Sequence, residues 1–128
     1  MPHTARFCTA VNCMDGRVQD PVNAFLKTRF AAVYVDAVTE PGPNGILAAG
    51  DPEALVASIF SRVAISVQRH GSIGIAVVGH YDCAGNPGDR QTENEHTSLA
   101  VDRLKARFPG VPVIGLYVDE HWTVTEIV

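Results

Sequence analysis

No stretch of this 128-residue chain approaches the roughly 20 consecutive apolar residues of a membrane-spanning helix, because charge or glycine interrupts every apolar run first. Basic clusters are missing too. The ten Lys and Arg stand singly in a chain of net charge -4, which leaves no stripe to track a phosphate backbone and excludes nucleic acid as a partner. Repeats, low-complexity tracts and Pro-rich linkers are absent, so residues 1–128 read as one domain. Cysteine is scarce. Three residues is an odd number without the dense even pattern of a disulfide scaffold, which turns attention to thiols that bind metal or do chemistry. The opening Met1-Pro2-His3-Thr4-Ala5-Arg6 runs straight into a strand-like segment without the apolar core of a secretion signal, and a cytoplasmic location is expected.

What is present is a regular alternation. With 46% hydrophobic and 19% charged residues the composition suits a globular core. Short apolar runs at 6–12, 30–38, 72–79 and 111–118 predict strands, and a last strand is expected over 122–128 after the tight turn Asp119-Glu120-His121. Helices are predicted from Asp20-Pro21 to about Arg29, from Asp51-Pro52-Glu53 to His70-Gly71, and from about Glu95 to Phe108. The second carries Leu55, Val56, Ile59, Phe60, Val63 and Val67 at helical spacing, with Asp51 as its cap. Residues 40–50, rich in Pro and Gly, read as a loop. Strand–helix alternation calls for a three-layer α/β domain, a mostly parallel sheet with helices on both faces; a flavodoxin-like order of about 2-1-3-4, with an antiparallel C-terminal edge strand, is expected. In that order the topological switch point falls between strands 1 and 3, and ligands bind beyond their carboxyl ends.

Two segments stand at those ends: Cys13-Met14-Asp15-Gly16-Arg17 after strand 1, and Gly79-His80-Tyr81-Asp82-Cys83-Ala84-Gly85 after strand 3. Two thiolates and an imidazole form a soft donor set that suits Zn2+, and three protein ligands leave a fourth position open, as in catalytic sites. Each residue also has a plain structural use. Asp15 could cap the turn into the next helix, Arg17 could be a solvated surface arginine, and Cys8, inside strand 1 and five residues from Cys13, is expected in the core on the opposite face. Tyr81 and Asp82 could shape the turn or support the metal ligands. His96 is expected to be partly buried; His3, His70 and His121 read as surface, helix-cap and turn positions.

Together the two segments resemble the β-class carbonic anhydrases, which end the first core strand in Cys-x-Asp-x-Arg and the third in Gly-His-x-x-Cys-Gly. The likeness extends loosely over most of the chain, including the closing VPVIGLYVDEHWTVTEI. It implies Cys13, His80 and Cys83 as zinc ligands, Asp15 and Arg17 as a catalytic dyad, carbon dioxide and bicarbonate as the small-molecule substrate pair, and a homodimer or higher homo-oligomer. It also implies two states of the metal, open or closed by Asp15 as a fourth ligand. A metal ion of this kind lowers the pKa of a bound water, and two thiolates temper the effect by cancelling its charge.

Three departures are visible. Where the family carries Arg-Asn-Ala-Gly after its second strand, this chain is read as Val35-Asp36-Ala37-Val38-Thr39; Cys83 is followed by Ala84-Gly85; and the sequence is short, so the N-terminal helices that wrap a partner subunit in the family are not expected. Two alternatives follow. A pocket altered around Asp36 suits a hydrolase of carbonyl sulfide or carbon disulfide, and a permanently closed Asp15 suits a non-catalytic zinc-binding module.

Overall fold

The computed structural model describes residues 5–128, so His3 lies outside the described residues. The chain runs β1 (Phe7–Cys13), a 3-10 turn (Gly16–Val18), α1 (Gln19–Arg29), β2 (Tyr34–Glu40), α2 (Pro43–Ala49) and α3 (Glu53–Arg69). It continues as β3 (Ile75–His80), α4 (Arg90–Arg107), β4 (Val113–Val118) and β5 (Val124–Glu126). The sheet order is β2-β1-β3-β4-β5, with β1 parallel to both β2 and β3, β3 parallel to β4, and β5 antiparallel at the edge. The predicted fold class, order and edge strand all hold.

Each face of the sheet carries its own apolar layer. Val18, Val22 and Leu26 of the first turn and α1 pack on Cys8, Ala10, Ala76, Val78 and Leu116. On the other face, Leu47, Val56, Ile59, Val63, Ala100, Val101 and Leu104 of α2, α3 and α4 cover Val11, Ile75, Val77 and Val113. β3 and β4 are buried at every position, as parallel strands covered by helices must be.

Several boundaries depart from the sequence reading, each for a local reason. β2 begins at Tyr34 rather than Phe30. Phe30 closes α1 by donating its N–H to Leu26, Ala31 turns left-handed at φ 51, and Ala32 donates back to Lys27, so the apolar Phe30 and Ala32 are spent on a helix end. The expected loop at 40–50 contains α2. Its Pro43 stands in the first turn and Gly50 closes it at φ 68, so residues read as loop markers are helix punctuation. α4 starts at Arg90, five residues early, because Asp89 caps it by accepting the Thr92 N–H at 2.8 Å. Asp51 does not cap α3, whose N-cap position is Pro52, and Pro21 is the third residue of α1 rather than its first. β5 is shortened to three residues because Trp122 stands in a left-handed turn at φ 59.

Candidate metal centre

Cys13 is the last residue of β1 and His80 the last of β3, so the parallel sheet delivers both side chains to one end, at the switch point. Cys83 follows three residues later. It returns toward His80 because Asp82 takes a left-handed conformation at φ 57, which Asp tolerates better than most residues. All three side chains are buried, and their ligand atoms lie within 4.8 Å of one another. The two Sγ atoms are 3.9 Å apart. Zinc bonds of about 2.3 Å to sulfur at a tetrahedral angle place two thiolates roughly 3.8 Å apart, so the spacing fits a shared ion. His80 completes the fit. Its Nδ1 lies 2.7 Å from the Tyr81 carbonyl, which can only accept, so Nδ1 carries the proton. Nε2 is buried without an oxygen or nitrogen partner and is left to the cluster, where it meets the Cys13 sulfur.

The charges follow from this packing. The two thiols share a proton: Cys13 is pulled down chiefly by the hydrogen bond from Cys83, against the cost of burial, while Cys83 is pushed up by the same contact. Burial works against a charged His80, yet the Cys13 thiolate and the Tyr81 carbonyl outweigh it and raise its pKa. Cys8 is wholly buried and pushed up to about 11, chiefly by desolvation. Its place in the core is as expected, within the same apolar cluster that Cys13 joins at the strand end.

Asp15 caps the turn that follows it and also pairs with Arg17. Its Oδ1 accepts the Arg17 N–H at 2.9 Å and caps the 3-10 turn, while the Arg17 guanidinium meets its carboxylate at 3.0 Å from Nε and 2.7 Å from Nη2. The Arg17 contact lowers the Asp15 pKa to about 2. The carboxylate stands with Arg17 and is not a member of the Cys13–His80–Cys83 group. Gln19 braces the same loop, its Nε2 donating to the carbonyls of Cys13 and Asp15 at 2.7 and 2.9 Å.

Asp36 requires a correction. It lies inside β2 opposite Thr9, four positions before Glu40, which is the residue opposite Cys13. Its carboxylate accepts Ser66 Oγ at 2.6 Å and meets His70 Nδ1 at 2.7 Å, away from the metal centre. The segment that borders the centre is Glu40 to Asn44: Met14 donates to the Glu40 carbonyl at 3.0 Å, and the Gly42 backbone reaches the Cys13 sulfur. Glu40 itself pairs with Arg62.

A buried polar network behind β3 was not foreseen. The wholly buried Glu93 accepts Asn44 at 3.2 Å and Asn86 at 3.1 Å, and it takes the backbone N–H of His80. Asn44 also reaches Thr97 at 3.2 Å, and the half-buried His96 meets Asn86 at 3.0 Å. Gly79 allows this approach, since a Cβ there would stand 2.8 Å from both Asn44 and Thr97. Glu93, Thr97, Ala100, Val101 and Leu104 do fall at helical spacing, the one signal that could have revealed it. His70 is the C-cap of α3, and His121 is exposed in its turn, as read.

A parallel α/β domain thus gathers two cysteines and a histidine at its switch point into a group that could hold a metal ion. The chain belongs to the family described as "Putative carbonic anhydrase", whose model matches residues 3–128. Its fold is that of the β-carbonic anhydrases. It superposes on isoform I from Trichomonas vaginalis with TM-score 0.53 at 17% identity, covering 100% of this chain and 86% of that one. CafD of Aspergillus fumigatus gives TM-score 0.61 at 12% identity, covering 98% and 91%. The tetrameric β-carbonic anhydrases of Sordaria macrospora give 0.54 at 13%, covering 98% and 82%. No curated protein matches the sequence. At these identities the protein is a divergent member.

Proposed function

We propose that the protein is a zinc-dependent carbonic anhydrase that interconverts carbon dioxide and bicarbonate. The observation that carries this reading is the buried Cys13–His80–Cys83 cluster, its ligand atoms within 4.8 Å of one another, next to a carboxylate held by arginine. Cys13, His80 and Cys83 would hold the ion, which when bound supplies Lewis acidity at its fourth position and eases loss of a proton from water.

The remaining chemistry belongs to the chain. Asp15, kept ionised by Arg17 down to about pH 2, accepts a hydrogen bond from the attacking water and orients its lone pair. Arg17 keeps that carboxylate from turning onto the metal. The Tyr81 carbonyl holds the His80 tautomer that leaves Nε2 free to ligate. Attack on the carbon of carbon dioxide forms one C–O bond, shifts one C=O pair onto oxygen, and releases a proton to solvent. A hollow of about 450 Å³ beside Cys83, lined in part by Tyr81, Arg90 and Tyr117, gives a triatomic substrate room to approach.

Support for a carbonyl sulfide or carbon disulfide hydrolase rested on Asp36, which is engaged with Ser66 and His70 elsewhere. A non-catalytic module would need Asp15 on the metal, and the Asp15–Arg17 pair argues against it. The same reading carries assembly into a homodimer or higher homo-oligomer, supported by the tetrameric relatives, and a cytoplasmic location, supported by three free cysteines.

Stopped-flow carbon dioxide hydration by zinc-loaded protein tests the proposal. Wild type should exceed the buffer rate, and Cys83→Ser should lose at least about a hundredfold, in line with the effect of disturbing a metal's ligand shell. A wild-type rate equal to buffer would sink the anhydrase reading.

A further inference from the structure

We propose that Asp82 and Trp122 are positioning residues that clamp the Arg17 guanidinium, and so keep the Asp15 carboxylate out of the metal's fourth position. The inference rests on the reading of Cys13, His80 and Cys83 as metal ligands. It adds a control on that site drawn from two segments outside the Cys-x-Asp-x-Arg loop.

Arg17 has a 45% exposed side chain, and an exposed Asp–Arg pair on one short loop is a weak restraint by itself. Here three segments converge on it. Nε and Nη2 hold Asp15; Nη1 donates to Asp82 Oδ2 at 3.2 Å and Nη2 to the Asp82 carbonyl at 3.1 Å; the guanidinium carbon stands 4.8 Å from the centroid of the Trp122 ring. The loop after β1, the loop after β3 and the β4–β5 turn therefore meet on a single cation.

The backbone is bent to allow it. Among the described residues only Ala31, Asp82 and Trp122 have positive φ without being glycine, and two of these three touch Arg17. Ala31 belongs to the end of α1. The Asp82 conformation also serves the return from His80 to Cys83, but that return does not require its side chain to meet Arg17. For a tryptophan a left-handed backbone is a strained choice that surrounding contacts must impose. Those contacts are present. Asp119 Oδ1 accepts the N–H groups of His121 and Thr123, both at 2.9 Å, and the Trp122 N–H returns to the Asp119 carbonyl at 2.9 Å. The indole also packs on the apolar cluster that contains Cys13 and Cys83. Trp122 is thus a platform anchored beside the metal ligands, with the Arg17 cation on its face.

Asp15 sits two residues from Cys13 and has two destinations, Arg17 or the metal. Loosening Arg17 should favour the second. Cobalt(II)-substituted protein reads this directly, with thiocyanate as a probe that needs an exchangeable fourth position. Wild type and Trp122→Phe, which keeps an aromatic face, should bind the anion with similar affinity. Trp122→Ala and Asp82→Ala should bind it about tenfold or more weakly. Adding Asp15→Asn to either weakened variant should restore binding, a rescue that general damage to the fold would not allow. Alanine variants with wild-type affinity, or a loss that Asp15→Asn does not repair, overturn the clamp. A wild type without thiolate-to-cobalt absorption overturns the ligand assignment, and the clamp with it.

Discussion

Cys8, Cys13 and Cys83 are all buried, but their surroundings assign them opposite chemistry. Cys8 sits among apolar side chains that push its pKa up to about 11, so it stays a thiol and competes poorly for a metal. Cys13 and Cys83 face each other and His80, where deprotonation is favoured for one of the pair. Zinc-loaded protein should therefore show almost no thiol reactive toward an aromatic disulfide reagent. Chelation should release two thiols, and the third should react only in denaturant. Three thiols reacting together on chelation would contradict this division. At this scale the Cys13–His80–Cys83 cluster was legible in the sequence because metal chemistry demands particular donors at particular chain positions. Asp82 as a partner of Arg17, the Trp122 platform and Glu93 behind His80 were not. Their roles arise from contacts between segments such as 17 and 122, which no local spacing encodes.

Between elements, the loops around the centre touch backbone to backbone. A Cβ on Gly85 would come within 2.4 Å of the Pro41 carbonyl carbon and 2.6 Å of its oxygen, and one on Gly42 within 2.9 Å of the Gly85 carbonyl carbon. Neither neighbour is a flexible side chain that could turn away. Gly85→Ala should destabilise the fold by about 2 kcal/mol and weaken zinc retention by parting the loops after β2 and β3. Gly16→Ala, whose Cβ would meet nothing within 4 Å, should stay within about 0.5 kcal/mol of wild type. Urea unfolding with zinc competition against a chelating dye measures both; equal effects from the two substitutions would refute the close-packing account. The elements that escaped the sequence reading belong to this same region. α2 is a seven-residue helix between Gly42 and Gly50, and the first turn of α4 turns polar residues, Glu93 among them, inward. α2 read as loop because Pro and Gly mark its ends, and the start of α4 because Glu93 buried there reverses the usual pattern of apolar inside and polar outside.

For the molecule as a whole, the metal should act as a stabilising ligand of the folded state alone. Zinc at a thousand times its dissociation constant adds about 4 kcal/mol, which for a domain of this size raises the melting temperature by on the order of 15 °C. Calorimetry of chelated and zinc-loaded protein should show that gap, and an unchanged transition would argue against a formed site. The global architecture was readable because strand–helix alternation leaves few topologies, and the observed parallel order β2-β1-β3-β4 is one of them. The extent of β5 was not, since it depends on the left-handed Trp122.

That order also has a kinetic consequence. β1 and β3 pair through residues such as Thr9 and Ile75, far apart along the chain, with β2, α2 and α3 folded in the interval between them. Closing so long a loop is among the slower steps available to a small domain. Cys13 cannot meet His80 and Cys83 until that closure is complete. Capture of an ion by this cluster would thus come late in folding, and a freshly made chain would become competent for it only once its central strands have found each other.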